Sequence, residues 1–311
     1  MQRRQFMQQT ALMAMAGSVG SLITPQQAGA IEAFERPNHA NFKLGLAAYS
    51  LRDHFQHASH ERPQAVDPAK RISLHDFLDY CSQLGCDGAE LTSYYFPPQT
   101  DATLCSDLKR HAFLRGLTIS GTAVGNRFTD LPGPKREEQI LHVKQWIDHA
   151  AQMGAPHVRV FAGDKPQGES WKNSVARCIE GLKQCCDYAG ARGVFLGIEN
   201  HGGIVAEADP LLEIVQAVDS PWVGINLDTG NFHTEDPYGD LVKCAPFAVN
   251  VQLKVEIAPR GMPKMPSDLV RLVRILREAN YQGFVVLEYE AAEDPWKAIP
   301  RHIRTLKALL A

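Results

Sequence analysis

Short apolar runs rich in Val, Ile and Leu recur along the chain, each followed by a longer stretch in which apolar residues return every three or four positions. A short continuous apolar run suits a strand buried on both faces, and the longer repeat suits a helix with one apolar face. The runs predict strands at 42–51, 86–93, 117–124, 156–162, 194–200, 223–229, 248–255 and 283–289. Strands alternating with helices make a parallel sheet, and eight of them close a (β/α)8 barrel with its helices outside. The helices carry their own signals. Ser73 stands before Phe77, Leu78 and Cys81, and Ile140, Val143, Ile147 and Ala150 repeat up to Gly154. Asp209-Pro210, Asp268 and Asp294-Pro295 mark further helix starts. Leu84-Gly85, Arg115-Gly116, Met153-Gly154 and Arg192-Gly193 place Gly where a helix ends in a left-handed residue and the next strand begins.

Composition leaves this picture unchanged over most of the chain: 311 residues, 44% hydrophobic and 22% charged, suit one large globular domain. The start is different. Residues 1–30 contain no Lys, Asp or Glu, and Arg3-Arg4 leads through Phe6-Met7 into the apolar run Ala11 to Ala16. Gly17, Ser18 and Gly20 break that run, which is too short and too polar for a stable membrane span. The segment resembles a bacterial twin-arginine signal. The resemblance implies passage through the twin-arginine export machinery, cleavage near residue 30 and a periplasmic or otherwise exported mature protein. Residues 31–41 are then a linker, and 42–311 the barrel.

Setting aside Arg3 and Arg4, 30 of the 32 basic residues remain against 35 acidic ones, a net charge of −5 with neutral histidines. That balance argues against a nucleic-acid surface. Seven cysteines, with Cys185 and Cys186 adjacent inside a helical stretch, suggest no disulfide framework; Cys86 and Cys178 suit small core positions. A homo-oligomer is compatible with the composition.

The chemistry gathers where strands should end. Glu199 lies in Gly-Ile-Glu-Asn-His, Asp228 in Asn-Leu-Asp-Thr-Gly-Asn, Gln252 in Val-Gln-Leu-Lys and Glu288 in Val-Leu-Glu-Tyr-Glu. In a parallel barrel the carboxyl ends of the strands share one face. Carboxylates brought together there need a cation or arginines. Two glutamates, an aspartate and an amide oxygen form an all-oxygen set suited to one divalent ion, Mn²⁺ or Mg²⁺. The bland alternative is an exposed strand end for each Glu and a turn residue for Asp228.

On these motifs the chain resembles the xylose isomerase-like TIM-barrel superfamily, in its sugar phosphate isomerase/epimerase branch, over residues 42–310. The resemblance implies one divalent metal held by Glu199, Asp228, Gln252 and Glu288. It also implies that Glu199 and Glu288 stand on opposite sides of a small carbohydrate substrate and move protons. Two departures stand out. Asn231 replaces a His that many members carry, with His233 two residues later, and Gln252-Leu-Lys254-Val255 stands where many read His-x-Lys-Asp. Gln serves as a ligand in hydroxypyruvate isomerase-like members.

Around this set, Lys254 is the cation suited to a substrate oxygen, its alternative being a solvent-facing pair with Glu256. Asn200 and His201 are placed to orient a ligating carboxylate, or in the case of His201 to sit hydrogen-bonded on the rim. Glu90 and Arg159 face the mouth as substrate-binding groups, or Arg159 is tied up in an internal salt bridge. Asn231 and His233 complete the substrate-facing set, and Tyr94, Tyr95 and Phe96 offer either an apolar wall or ordinary packing. The expected activity is metal-dependent sugar isomerisation or epimerisation by proton abstraction beside a carbonyl. Its rivals are a lyase or hydratase acting on a keto-sugar, and a non-catalytic metal-dependent sugar-binding protein.

Overall fold

The structure, a computed structural model, describes residues 32–59 and 66–311. The expected signal therefore lies outside the described residues. Among the described residues, eight parallel strands close into a barrel. They are β1 (Asn41–Ala47), β2 (Gly88–Thr92), β3 (Thr118–Ala123), β4 (His157–Val160), β5 (Phe195–Glu199), β6 (Val223–Asp228), β7 (Ala248–Leu253) and, after a small antiparallel hairpin of β8 (Glu256–Ile257) and β9 (Met265–Pro266), β10 (Gln282–Leu287). The order around the barrel is β1-β10-β7-β6-β5-β4-β3-β2. Every predicted strand is present.

The first strand is shorter than its apolar run. It ends at Ala47, and Ala48–Leu51 turns into a 3₁₀ helix. The turn has a purpose in the sheet: Ser50 Oγ donates to the Leu287 carbonyl at 3.2 Å and accepts from the Tyr289 N–H at 2.9 Å, satisfying backbone groups where β10 ends.

Helices α1 (Leu74–Gln83), α2 (Ala102–Phe113), α3 (Pro134–Met153), α4 (Trp171–Gly190), α5 (Ala208–Val218), α6 (Pro237–Cys244), α7 (Leu269–Glu278) and α8 (Pro295–Leu310) surround the barrel. Ser73 and Asp76 form a reciprocal capping box on α1, and Asp268 and Asp294 cap α7 and α8. Asp209 does not cap α5; Glu207 holds that position, and Asp209 sits in the first turn, where its charge suits the helix dipole. The expected left-handed glycines are present, with φ of 66° at Gly85, 70° at Gly116, 75° at Gly154 and 68° at Gly193. All seven cysteines are buried free thiols.

Residues 32–40, expected to be a linker, lie across the amino-terminal end of the barrel. Phe34 meets Phe195 edge-on, and the Arg36 guanidinium lies over the rings of Phe34 and Tyr281 and donates to the carbonyls of Pro246 and Ala248. No helix among the described residues is long and apolar enough to cross a membrane.

Candidate active site at the carboxyl face of the barrel

Strand register sets the height of each functional side chain. Asp228 pairs with Gln252 across β6 and β7, Leu253 with Leu287 across β7 and β10, and Glu288 N–H donates to the Leu253 carbonyl. Asn200 locks the seam between β5 and β6, its amide donating to the Asp228 carbonyl and accepting from the Asp228 N–H, each at 2.9 Å. It therefore holds the backbone of Asp228.

Glu199 is buried at the end of β5 and held on both oxygens. Arg159 Nε lies 2.9 Å from Oε2, and Asn231 donates to Oε1 at 2.8 Å. Arg159 is thus the internal ion-pair partner of a candidate proton carrier. Burial works against its charge, but Glu199 and the neighbouring carboxylates hold it protonated. Its guanidinium also lies 4.0 Å from the centre of the Phe161 ring, which His201 meets at 4.5 Å. His201 is exposed and lies tilted against that ring, so it does not orient the carboxylate.

On the other side, Lys254 points inward and is buried, in contrast to the solvent-facing alternative. Its ammonium lies 2.8 Å from Glu288 and 3.5 Å from Asp228 and contacts Glu290 directly, while Glu256 pairs with Lys264. Burial opposes the ammonium charge, yet Asp228, Glu288 and Glu290 together raise its pKa well above the ordinary value. The carboxyls of Asp228 and Glu288 are pushed up by burial, with Lys254 acting in the opposite direction.

Below the mouth the barrel is polar where most barrel interiors are aliphatic. Asn226 donates to Gln252 Oε1 at 2.7 Å, Gln252 donates to Glu90 Oε1 at 2.7 Å, and Asn250 donates to both Glu90 and Asn226. His157 Nε2 lies 3.9 Å from Glu90, and its Nδ1 is hydrogen-bonded to the Ser120 carbonyl. Glu90 is consequently a floor residue that fixes the Gln252 amide, not a group that reaches into the mouth. Asn226, Asn250, His157 and Glu290 were not singled out from sequence. Alternation in Asn226-Leu-Asp228, Asn250-Val-Gln252-Leu-Lys254 and Glu288-Tyr-Glu290 carries the signal for three of them, because residues two apart share a face.

Burial pushes the Glu90 carboxyl up to about 7, with the Glu288 charge adding to the rise and the Gln252 hydrogen bond opposing it. Since this pKa stands above the ordinary 4.5, its contribution to stability is complete below pH 4.5 and is lost as pH rises through 7. The loss should be on the order of 3 kcal/mol. Urea unfolding of chelator-treated protein should show wild type losing stability relative to Glu90→Gln over that window; parallel pH profiles would refute the assignment. His157 acts with the opposite sign, burial lowering its pKa to about 4.

His233 is exposed and bonded through Nδ1 to the Ala258 carbonyl; with Asn231, Lys254 and Glu290 it lines a cavity of about 150 Å³ at the mouth. Tyr95 stacks on Phe55 and Phe96 packs against Trp146, both in the core, so they make no substrate wall. A larger cavity of about 460 Å³, lined by Phe34, Phe195 and Phe284, opens at the other end of the strands, away from the carboxylates.

The four expected ligands do not already form one shell: among the described residues, no three His, Cys, Asp or Glu side chains converge at metal-holding spacing. Arg159 and Lys254 stand among them, and Gln252 Oε1 spends one of its lone pairs on Asn226. The donor set nevertheless fits a divalent cation. Glu199, Asp228, Glu288 and Glu290 bring four carboxyl groups to one mouth, where Arg159 and Lys254 are the cations in contact with them. Asp228 Oδ2, fully buried, accepts no hydrogen bond, although Oδ1 is held by the Gly230 N–H.

A family model described as xylose isomerase-like TIM barrel matches residues 78–308. Among solved structures, an L-ribulose 3-epimerase superposes with a TM-score of 0.68 at 16% identity, covering 86% of this chain and 94% of that one. A D-psicose 3-epimerase, solved in the presence of D-fructose, gives 0.65 at 18% identity over 81% and 86% of the two chains. A 3-keto-D-glucoside 4-epimerase from E. coli gives 0.64 at 17% identity over 86% and 100%. These likenesses are of fold. No protein of curated function matches the chain.

Proposed function

The chain belongs to the xylose isomerase-like TIM-barrel family, and from that premise we propose that it is a divalent-metal-dependent isomerase or epimerase of a small carbohydrate. The observation that carries the reading is the pair of buried carboxylates, Glu199 and Glu288. They are separated by β6 and β7 around one mouth, and each is held by its own cation. The epimerase activities named for the superposed structures support the same class of chemistry.

A carbon-bound proton beside a carbonyl is weakly acidic, so its removal near neutral pH needs positive charge close to the carbonyl oxygen. Glu199, Asp228, Glu288 and Gln252 would hold a Mn²⁺ or Mg²⁺ ion, which supplies that charge when bound. Glu199 and Glu288 take and return the proton. Asn231 and Arg159 hold the carboxylate of Glu199. Lys254 adds a second positive charge for a substrate oxygen, and Asn231 and His233 line the wall that a hydroxylated substrate meets.

Incubating the protein with Mn²⁺ and a panel of free ketoses, aldoses and keto-sugars, and following the sugars by NMR, tests the reading. New carbohydrate isomers support it. An unsaturated or hydrated product assigns the chemistry to a lyase or hydratase, which begins with the same proton removal. Saturable binding without any reaction assigns a sugar-binding protein. Export by the twin-arginine route belongs to this reading and rests on Arg3-Arg4 and the uncharged stretch that follows. N-terminal sequencing of protein from the cell envelope should find a start near residue 31, and an intact Met1 in cytoplasmic protein would count against it.

A further inference from the structure

Two tiers of charge face each other across β7 and β10. In the inner tier, Glu288 and Asp228 lie deep, and both are oxygens on which the proposed cation would draw. In the outer tier stand Lys254, two residues beyond Gln252, and Glu290, two residues beyond Glu288, so that each shares a face with its inner neighbour. Glu290 is the most open of Lys254's three carboxylate partners, its side chain 29% exposed against 6% for Glu288 and none for Asp228. Lys254 sits between the tiers, 2.8 Å from Glu288, 3.5 Å from Asp228 and in contact with Glu290.

An ammonium and a divalent cation repel strongly at such separations in a mouth of low dielectric, so they cannot both share the inner carboxylates. We propose that Lys254 and the divalent cation compete for Glu288 and Asp228, and that Glu290 is a positioning residue that draws the ammonium outward and leaves the inner oxygens to the metal. The inference rests on the metal-dependent reading above. It explains why a second acid follows Glu288 at the same strand end. It also places the displaced ammonium at the cavity lined by Asn231 and His233, where it meets substrate rather than metal.

A double-mutant cycle read by Mn²⁺ affinity separates this from a general charge effect. Calorimetric titration of Mn²⁺ into the full protein should show Glu290→Gln binding about tenfold more weakly than wild type and Lys254→Met binding about tenfold more tightly. In the Lys254→Met background, Glu290→Gln should change affinity by no more than about twofold, because its effect passes through the lysine. Equal weakening by Glu290→Gln in both backgrounds would show that Glu290 acts through its own charge and would overturn the proposal. Weaker or unchanged binding by Lys254→Met would overturn it as well. Binding by Lys254→Met where wild type binds nothing supports the competition in its extreme form, whereas binding by neither removes the metal reading itself. Thermal unfolding confirms that each variant is folded, and Lys254→Gln provides the same readout if the methionine variant does not fold.

Discussion

Replacing Glu199 or Glu288 with Gln should lower the turnover of a sugar substrate by about 10²- to 10⁴-fold, the range that a positioned acid or base contributes. Glutamine keeps the shape and the hydrogen-bond acceptor but cannot take a proton. Each variant should be assayed with Mn²⁺ at saturation, because the same substitution removes a proposed ligand and weakens the metal. With metal saturated, the loss should fall on kcat, and KM should change much less. Gln offers one oxygen where Arg159 and Asn231 meet two, and it leaves the buried guanidinium without its carboxylate, so Glu199→Gln should also lose stability. Steady-state kinetics with a thermal unfolding control makes the measurement. Full turnover by either variant would remove that residue from the proton path and leave it as a ligand only.

The largest expected loss of stability comes from Arg159→Met. Arg159 and Glu199 are both buried, and their side chains are 5% and 4% exposed. Removing the guanidinium strands a carboxylate in a site of low dielectric, which costs about 3–5 kcal/mol when a buried pair is broken on one side. Much of that cost belongs to the orphaned charge. The double variant Arg159→Met with Glu199→Gln should therefore recover a large part of it, and urea unfolding of the four proteins reads the difference. A loss below about 1 kcal/mol for Arg159→Met, the range of an exposed pair, would show that solvent reaches Glu199 freely.

The barrel was legible because its signal is local and repeated. Each apolar run announces a strand, and each left-handed glycine, such as Gly154, announces the joint before the next one. The departures came where tertiary contacts decide. β1 stops at Ala47 because Ser50 is needed across the seam with β10, and no property of residues 48–51 alone announces that. The four strand-end oxygens were legible from their placement, but their partners were not. Sequence leaves Arg159 between substrate and salt bridge and Lys254 between solvent and mouth, whereas in the fold Arg159 lies against Glu199 and three carboxylates surround Lys254. The polar floor of Glu90, Asn226, Asn250 and Gln252 depends on four side chains from three strands meeting at one depth. Alternation shows that such residues face inward but not which of them touch. His201 and His233 look chemical by residue type, yet one packs tilted against Phe161 and the other bonds a rim carbonyl.

If Glu199 and Glu288 carry the proton, they exchange a carbon-bound proton of a sugar with solvent. The most direct test is NMR of the Mn²⁺-loaded protein in D₂O with the sugar panel, scored for deuterium at the carbon next to the carbonyl. Deuterium should appear at that carbon in at least one sugar, at a rate that falls at least a hundredfold in Glu288→Gln with metal still bound. Exchange by Glu288→Gln at the wild-type rate, or tight sugar binding without exchange at any carbon, would contradict that role.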